Sequence, residues 1–317
     1  MHTSAHKEAE FIHTELAKQV QAVHVTVFPF EVVNFLKKLW LLPVAVITQV
    51  GRRPQLIYDF TWRRLNKTSK FLSPMEVMRF RGALQRILKQ VLAADPRLGP
   101  VYLSKVDLAD AYMRFWVRME DVQSVAFLIL KKNTSNIQLV VFHILLPIGY
   151  IDSAPYFCMA TDTVTDLANK TIALRERADE HPLELEYEAR AVDDANASPT
   201  KADTSWASLP VEQRSAATEN VNIYLDNFIS VVQGGTRERC QMLRHLFYQI
   251  DQVFFPKEEA ETNSRDPISL KKLGQGDGSW FTQKTVLGWD LDTIAYLICL
   301  PPTRREKVVA ALGAIPR

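Results

Sequence analysis

The sequence predicts an α+β fold, on three observations. Val221-Asn-Ile-Tyr-Leu-Asp-Asn-Phe-Ile-Ser-Val-Val232 places β-branched and aromatic runs on either side of an Asp-Asn break, the pattern of a buried hairpin. Residues 101–146 hold a cluster of further strand-like runs. Around 73–94, 153–174 and 236–253, apolar residues recur at helical spacing. Strand-like runs gathered in clusters, with helical runs beside them, are the pattern of that class.

At 317 residues, 47% hydrophobic and 23% charged, the chain is long enough for a large core and ordinary for a globular protein. The net charge of +2 is uninformative, but its distribution is not. Residues 51–100 carry eleven Lys/Arg against three Asp/Glu, and residues 176–203 carry nine Asp/Glu against three Lys/Arg. A basic segment followed by an acidic one predicts a polyanion-facing surface and a separate solvated loop. Cys158, Cys240 and Cys299 have no disulfide or metal spacing, which favours a reducing, intracellular compartment, cytoplasm or nucleus. The start of the sequence lacks a secretory apolar region. The most apolar run, 137–151, is too short to span a bilayer, so no membrane partner is expected.

In chain order, residues 5–23 read as an amphipathic helix. The 39–50 run is strand-like, with a turn at Gly51-Arg-Arg-Pro54 and a returning strand to Phe60, which places Arg52 and Arg53 at a basic tip. Ser73, Pro74 and Glu76 form a helix start, followed by an apolar stripe through Val91. Strands are expected at 101–108, 113–119, 122–131 and 137–146, with His143 a core residue. Residues 153–174 read as a long helix with Phe157, Thr161, Val164 and Leu167 inward. Residues 176–220 lack periodicity and read as a flexible acidic insertion. After the 221–232 hairpin comes a helix from Thr236, then a polar loop. Strands are expected at 268–273, 285–291 and 294–300, and a basic helix from Arg304.

Two carboxylates stand out. Asp226 sits in the hairpin break, and Asp107 on the strand Ser104-Lys-Val-Asp-Leu-Ala-Asp-Ala-Tyr112. Carboxylates on adjacent strands are what paired Mg²⁺ ions need to clamp a phosphoryl transfer. Asp110 and Tyr112 begin a tight turn whose backbone N–H groups suit a triphosphate, with a ring to floor a sugar pocket. Lys271 or Lys272 could donate a proton or hold a phosphate. Each signal alone is weak; their order is specific.

That order resembles the reverse transcriptases of retroelements, especially long-terminal-repeat and tyrosine-recombinase-type retrotransposons, from about Leu39 to Thr303. Gln55-Leu-Ile-Tyr-Asp-Phe60 with Leu65-Asn66 is similar to the fingers motif, and Val106-Asp-Leu-Ala-Asp-Ala-Tyr112 to motif A. Leu146-Pro-Ile-Gly149 with Ser153-Ala-Pro155 resembles motif B, and Tyr224-Leu-Asp-Asn227 the YxDD box. Leu270-Lys-Lys272 resembles motif D, and Val286-Leu-Gly-Trp289 the primer grip with its Leu-Gly turn.

The resemblance implies a right-hand polymerase fold. It assigns 1–38 to a helical extension, 39–105 to fingers, 106–175 to palm with a fingers hairpin at 120–146, and 176–220 to an insertion. Residues 221–300 complete the palm, and 301–317 begin a truncated thumb. It implies RNA or DNA template with primer and dNTP as partners, and two Mg²⁺ ions, or Mn²⁺, as cofactors. Asp107 and Asp226 would hold metal, with Asn227 beside them as the third catalytic position. Asp110 and Ala111 would meet the triphosphate through their backbone, Tyr112 would gate the sugar, and Arg53, Gln55, Gly149 and Lys272 would contact substrate or template.

Three departures stand against full activity. Asn227 replaces the second carboxylate of the YxDD box. Gln55 replaces an arginine, forfeiting a charge-assisted contact of about 1.5–3 kcal/mol if desolvated. Thr61 replaces a second arginine. Motif B also carries one extra residue before its proline. The expectation is therefore a reverse transcriptase domain with impaired activity; the alternatives are an inactive nucleic-acid-binding relic and an unrelated α/β domain with chance motifs.

Overall fold

The computed structural model describes residues 2–49, 51–68, 82–129, 137–186, 217–255 and 266–313. The β-branched and aromatic runs form strands β1 Val25–Pro29, β2 Leu41–Leu42, β3 Val44–Gln49, β4 Arg52–Tyr58, β5 Val101–Asp107 and β6 Ala126–Leu128. They continue as β7 Leu139–His143, β8 Glu219–Tyr224, β9 Asn227–Gln233, β10 Gln283–Val286, β11 Trp289–Asp292 and β12 Leu297–Cys299. The longer helices are Ala9–Gln21, Ala83–Ala93, Ser153–Ala173, Thr236–Phe254 and Pro302–Gly313. Among the described residues, no helix is long and apolar enough to cross a membrane.

The chain divides into two compact units. The first takes in described residues 2–68 and 110–159, with the sheet order β1-β7-β6-β2 and the separate hairpin β3–β4. Pro43 lacks a backbone N–H, and the 39–50 run is split there into β2 and β3. Ile12 and Leu16 of the Ala9–Gln21 helix close a core with Val25, Val44, Val46, Tyr58, Phe127 and Val141. His143 is fully buried in this unit, edge-on to the Tyr58 ring at 4.4 Å, and is the core residue expected. Burial pushes its imidazole down to about 3, so it is neutral at ordinary pH.

The second unit takes in described residues 82–109, 160–255 and 266–313. Its central sheet is antiparallel in the order β5-β9-β8, with register running from Val101↔Gln233 to Asp107↔Asn227. On one face, Ile87 and Val91 of the Ala83–Ala93 helix pack against Leu103, Ile229 and Val231. Both outer edges of this sheet are engaged. On β5, the Leu103 N–H donates to the Phe281 carbonyl at 2.8 Å, and the Phe281 N–H donates back at 3.1 Å. On β8, the Val221 N–H donates to Asn169 Oδ1 at 2.8 Å, and Asn169 Nδ2 donates to the Val221 carbonyl at 2.9 Å. A second sheet, β10-β11-β12, turns at Leu287 and Gly288, whose φ values of 52° and 81° suit a two-residue hairpin and match the expected Leu-Gly turn.

Several expectations are corrected. The hairpin turn is Leu225-Asp226, with Tyr224 paired to Asn227, so Asn227 opens β9 instead of sharing the turn. β4 begins at Arg52, so Arg53 lies within a strand and not at a tip. Residues 113–119 are not a strand: a 3₁₀ turn at Ala111–Arg114 leads to a single bridge between Trp116 and Leu145. The 268–273 segment makes one bridge, Leu108↔Ile268, and then coils as the helix Leu270–Leu273. The long 285–291 run is the β10–β11 hairpin.

Part of the supposed insertion is a fold element. Residues 176–186, with the short helix Pro182–Glu186, dock on the Thr236–Phe254 helix through polar groups. His181 Nε2 lies 2.9 Å from Asp251 Oδ2, and Arg244 grips Glu184 at 2.7 and 2.9 Å. Such contacts leave no apolar periodicity to read. The helix start at Ser73, Pro74 and Glu76, the turn at 133–136 and the remaining insertion lie outside the described residues.

Candidate active site

Asp107 ends β5 directly across from Asn227, which begins β9. The hairpin turn beside it holds Leu225 at φ 56°, a left-handed conformation uncommon for leucine. That turn sets Asp226 against Asn227, whose Nδ2 donates to Asp226 Oδ1 at 2.7 Å. The Leu108 N–H donates to the Asp226 carbonyl at 2.9 Å, tying the hairpin tip to the end of β5.

The Asp107 carboxylate is 1% exposed, and neither oxygen accepts a hydrogen bond of ordinary geometry. A buried charge in that state costs several kcal/mol unless a counter-charge meets it. Here the partners are ammonium groups. Lys105, two residues earlier on the same strand and therefore on the same face, places Nζ 3.2 Å from Oδ1. Lys272, from the Leu270–Leu273 helix, forms an ion pair with Oδ2. The Ser269 N–H donates to the Asp107 carbonyl at 2.9 Å and docks that helix.

A glycine-rich loop completes the cluster. Gly276 and Gly278 have φ values of 100° and 85°, where a side chain would be strained, and they carry Asp277 between them. The Asp277 N–H donates to the Lys272 carbonyl at 3.0 Å, and the Gly278 N–H to the Lys105 carbonyl at 2.8 Å. Asp277 Oδ1 thereby lies 3.6 Å from Lys105 Nζ. Burial raises the Asp277 pKa, against the pull of Lys105, Lys284 and Lys272. Lys284 donates to the Ser279 carbonyl at 2.9 Å, and burial pushes it down to about 8. Burial and then the Lys105 charge lower Lys272, while Asp277 raises it.

Among the described residues, no three His, Cys, Asp or Glu side chains gather as for a metal ion. The donors present are nonetheless of the kind Mg²⁺ or Mn²⁺ takes: two carboxylates and an amide oxygen, at Asp107, Asp226 and Asn227. The buried Asp107 carboxylate, neither oxygen of which accepts a hydrogen bond, is the observation that fits a cation seat.

The second unit thus brings together Asp107, Asp226, Asn227 and Lys272. The other expected residues lie in the first unit. Asp110 and Ala111 have consecutive positive φ values of 57° and 27°, and the Met113 N–H donates to the Asp110 carbonyl at 2.7 Å. Backbone strain of this kind concentrates at functional sites. Tyr112 stands edge-on to Phe157 at 5.2 Å. Gly149 has φ 97°, and an added Cβ would lie 3.5 Å from the Phe60 ring. Asn66 braces this bend, donating to the Gly149 carbonyl at 3.3 Å and accepting from the Ile151 N–H at 3.0 Å. Gln55 is exposed on β4 opposite Ile47. Arg53 is ion-paired with Glu15 of the N-terminal helix.

Sequence reasoning missed Lys105 and Asp277. For Lys105 the signal was present, since residues two apart on a strand share a face. Asp277 lies in Gly274-Gln-Gly-Asp-Gly278, where no periodicity points to it.

The central antiparallel sheet carries a buried carboxylate at one strand end with the Asp226 hairpin turn beside it. The chain is similar to a foamy viral protease–reverse transcriptase solved in complex with double-stranded DNA, with a TM-score of 0.54 and 13% identity. The match covers 100% of this chain and 45% of that one, so the chain spans less than half the length of that protein. The fold is reverse-transcriptase-like. No protein-family model matches the sequence, and no curated protein matches it.

Proposed function

We propose that the chain is a reverse-transcriptase-type domain that binds a template with its primer and carries a weakened centre for nucleotidyl transfer. The observation that supports this reading best is the cross-strand pair Asp107↔Asn227 with Asp226 beside it. A reverse-transcriptase-like fold supports the nucleic-acid partner. In this reading Asp107 and Asp226, with the Asn227 amide oxygen, hold Mg²⁺ or Mn²⁺. When bound, such an ion stabilises charge on a phosphoryl group under attack by a primer 3′-OH. The chain's own residues set the efficiency. Asn227 supplies an oxygen without charge and spends an N–H on Asp226. In this reading Lys272 gives a proton or holds a phosphate. Asp110, Ala111, Tyr112 and Gly149 carry the nucleotide and template roles that the resemblance assigns.

Primer extension on RNA and DNA templates with dNTPs tests this. Weak synthesis is expected, abolished by Asp107→Ala and raised by Asn227→Asp. Salt-sensitive binding of template–primer without synthesis by either protein would favour the inactive binding relic, the reading that the Lys105 and Lys272 contacts on Asp107 support. No binding at low salt would refute both.

A further inference from the structure

The Lys105 ammonium is shared. It lies 3.2 Å from Asp107 and 3.6 Å from Asp277, is 24% exposed, and has its own carbonyl fixed by the Gly278 N–H. Asp277 is 16% exposed and is held by backbone at both ends of the turn that carries it. We propose that Asp277 is a positioning residue: it offers Lys105 a second berth, so that this ammonium moves off Asp107 when a divalent cation arrives there. The inference rests on reading Asp107 as a cation seat, and it makes Lys105 an internal competitor for that seat.

The physical reason is charge. A divalent ion at Asp107 would face the Lys105 ammonium at close range, and like charges a few ångströms apart repel strongly where water is scarce. Without a second carboxylate, Lys105 would have to enter solvent or stay and oppose the ion. With Asp277 present, a small rotation of a flexible side chain keeps Lys105 paired. Lys272, 46% exposed, can swing into solvent and needs no such berth.

Mn²⁺ titration followed by electron paramagnetic resonance on the whole chain tests this without reference to activity. Lys105→Met should bind Mn²⁺ about tenfold more tightly than wild type, and Lys105→Gln should do likewise if the methionine variant folds poorly. Asp277→Asn should bind about tenfold more weakly in the wild-type background and less than twofold more weakly in the Lys105→Met background. Equal losses in the two backgrounds, or no gain from removing Lys105, would overturn the inference. Binding that Asp107→Asn abolishes but Lys105→Met leaves unchanged keeps the cation seat and overturns the berth alone. No Mn²⁺ binding by any variant overturns both.

Discussion

Replacing Asn227 by aspartate gives the sharpest test of the site, because it should harm the protein before it helps it. Asn227 donates to Asp226 at 2.7 Å from a half-buried position, and Asn227→Asp removes that donor and sets two carboxylates side by side. Losing a hydrogen bond to a charged acceptor costs about 1.5–3 kcal/mol when desolvated, and less at a half-exposed site. Repulsion between the carboxylates adds about 1 kcal/mol after solvent screening. The variant should therefore be about 2 kcal/mol less stable in chelator. A divalent ion offsets much of that loss: at ten times its dissociation constant it adds about 1.4 kcal/mol to the folded state. Urea unfolding with EDTA and with millimolar Mg²⁺ reads both effects. The Mg²⁺-induced gain should be larger in Asn227→Asp than in wild type. Equal stability of the two proteins in EDTA, or an equal Mg²⁺ gain, would refute the placement of a cation between Asp107 and Asp226.

Three further outcomes follow from the fold. Because His143 is held neutral while an unfolded histidine protonates near 6.5, stability should fall as pH drops from 6.5 toward 3, by about 2 kcal/mol at pH 5; His143→Phe should flatten that limb of a urea-midpoint profile. Asn169→Ala strips the partners from Val221 and should cost about 1–3 kcal/mol in denaturant titration. Gly149→Ala forces a side chain into φ 97° and should cost about 1–3 kcal/mol, with a lowered melting temperature as the readout.

The elements that carry their own apolar code were legible. Ser153–Ala173 repeats Phe157, Thr161 and Val164 on its buried face, and β9 carries the aromatic and β-branched residues Phe228, Ile229, Val231 and Val232. Asp107 and Asp226 were found because each interrupts such a code with a charge. What was illegible depends on tertiary pairing. Residues 268–273 look strand-like, yet only Ile268 finds a strand partner, and the chain then closes as a helix against the end of β5. The 176–186 segment is positioned by Arg244, His181 and Asp251, whose pairing leaves no pattern along the chain. The hairpin turn was misplaced by one residue because Asn is the better turn former, whereas the cross-strand register puts Leu225 at the left-handed position. Arg53, expected at the hairpin tip, lies within β4 and pairs with Glu15.

The Asn169 side chain has a consequence beyond stability. A primary amide has the same donor and acceptor as a peptide group, and at Val221 it imitates the next strand that β8 would otherwise accept. With Phe281 doing the same along β5, the central sheet ends on both sides in contacts made by its own chain. Association with another molecule by strand addition is thereby blocked at Val221 and Leu103, and a chain that lost Asn169 would expose a β-rich edge able to recruit copies of itself.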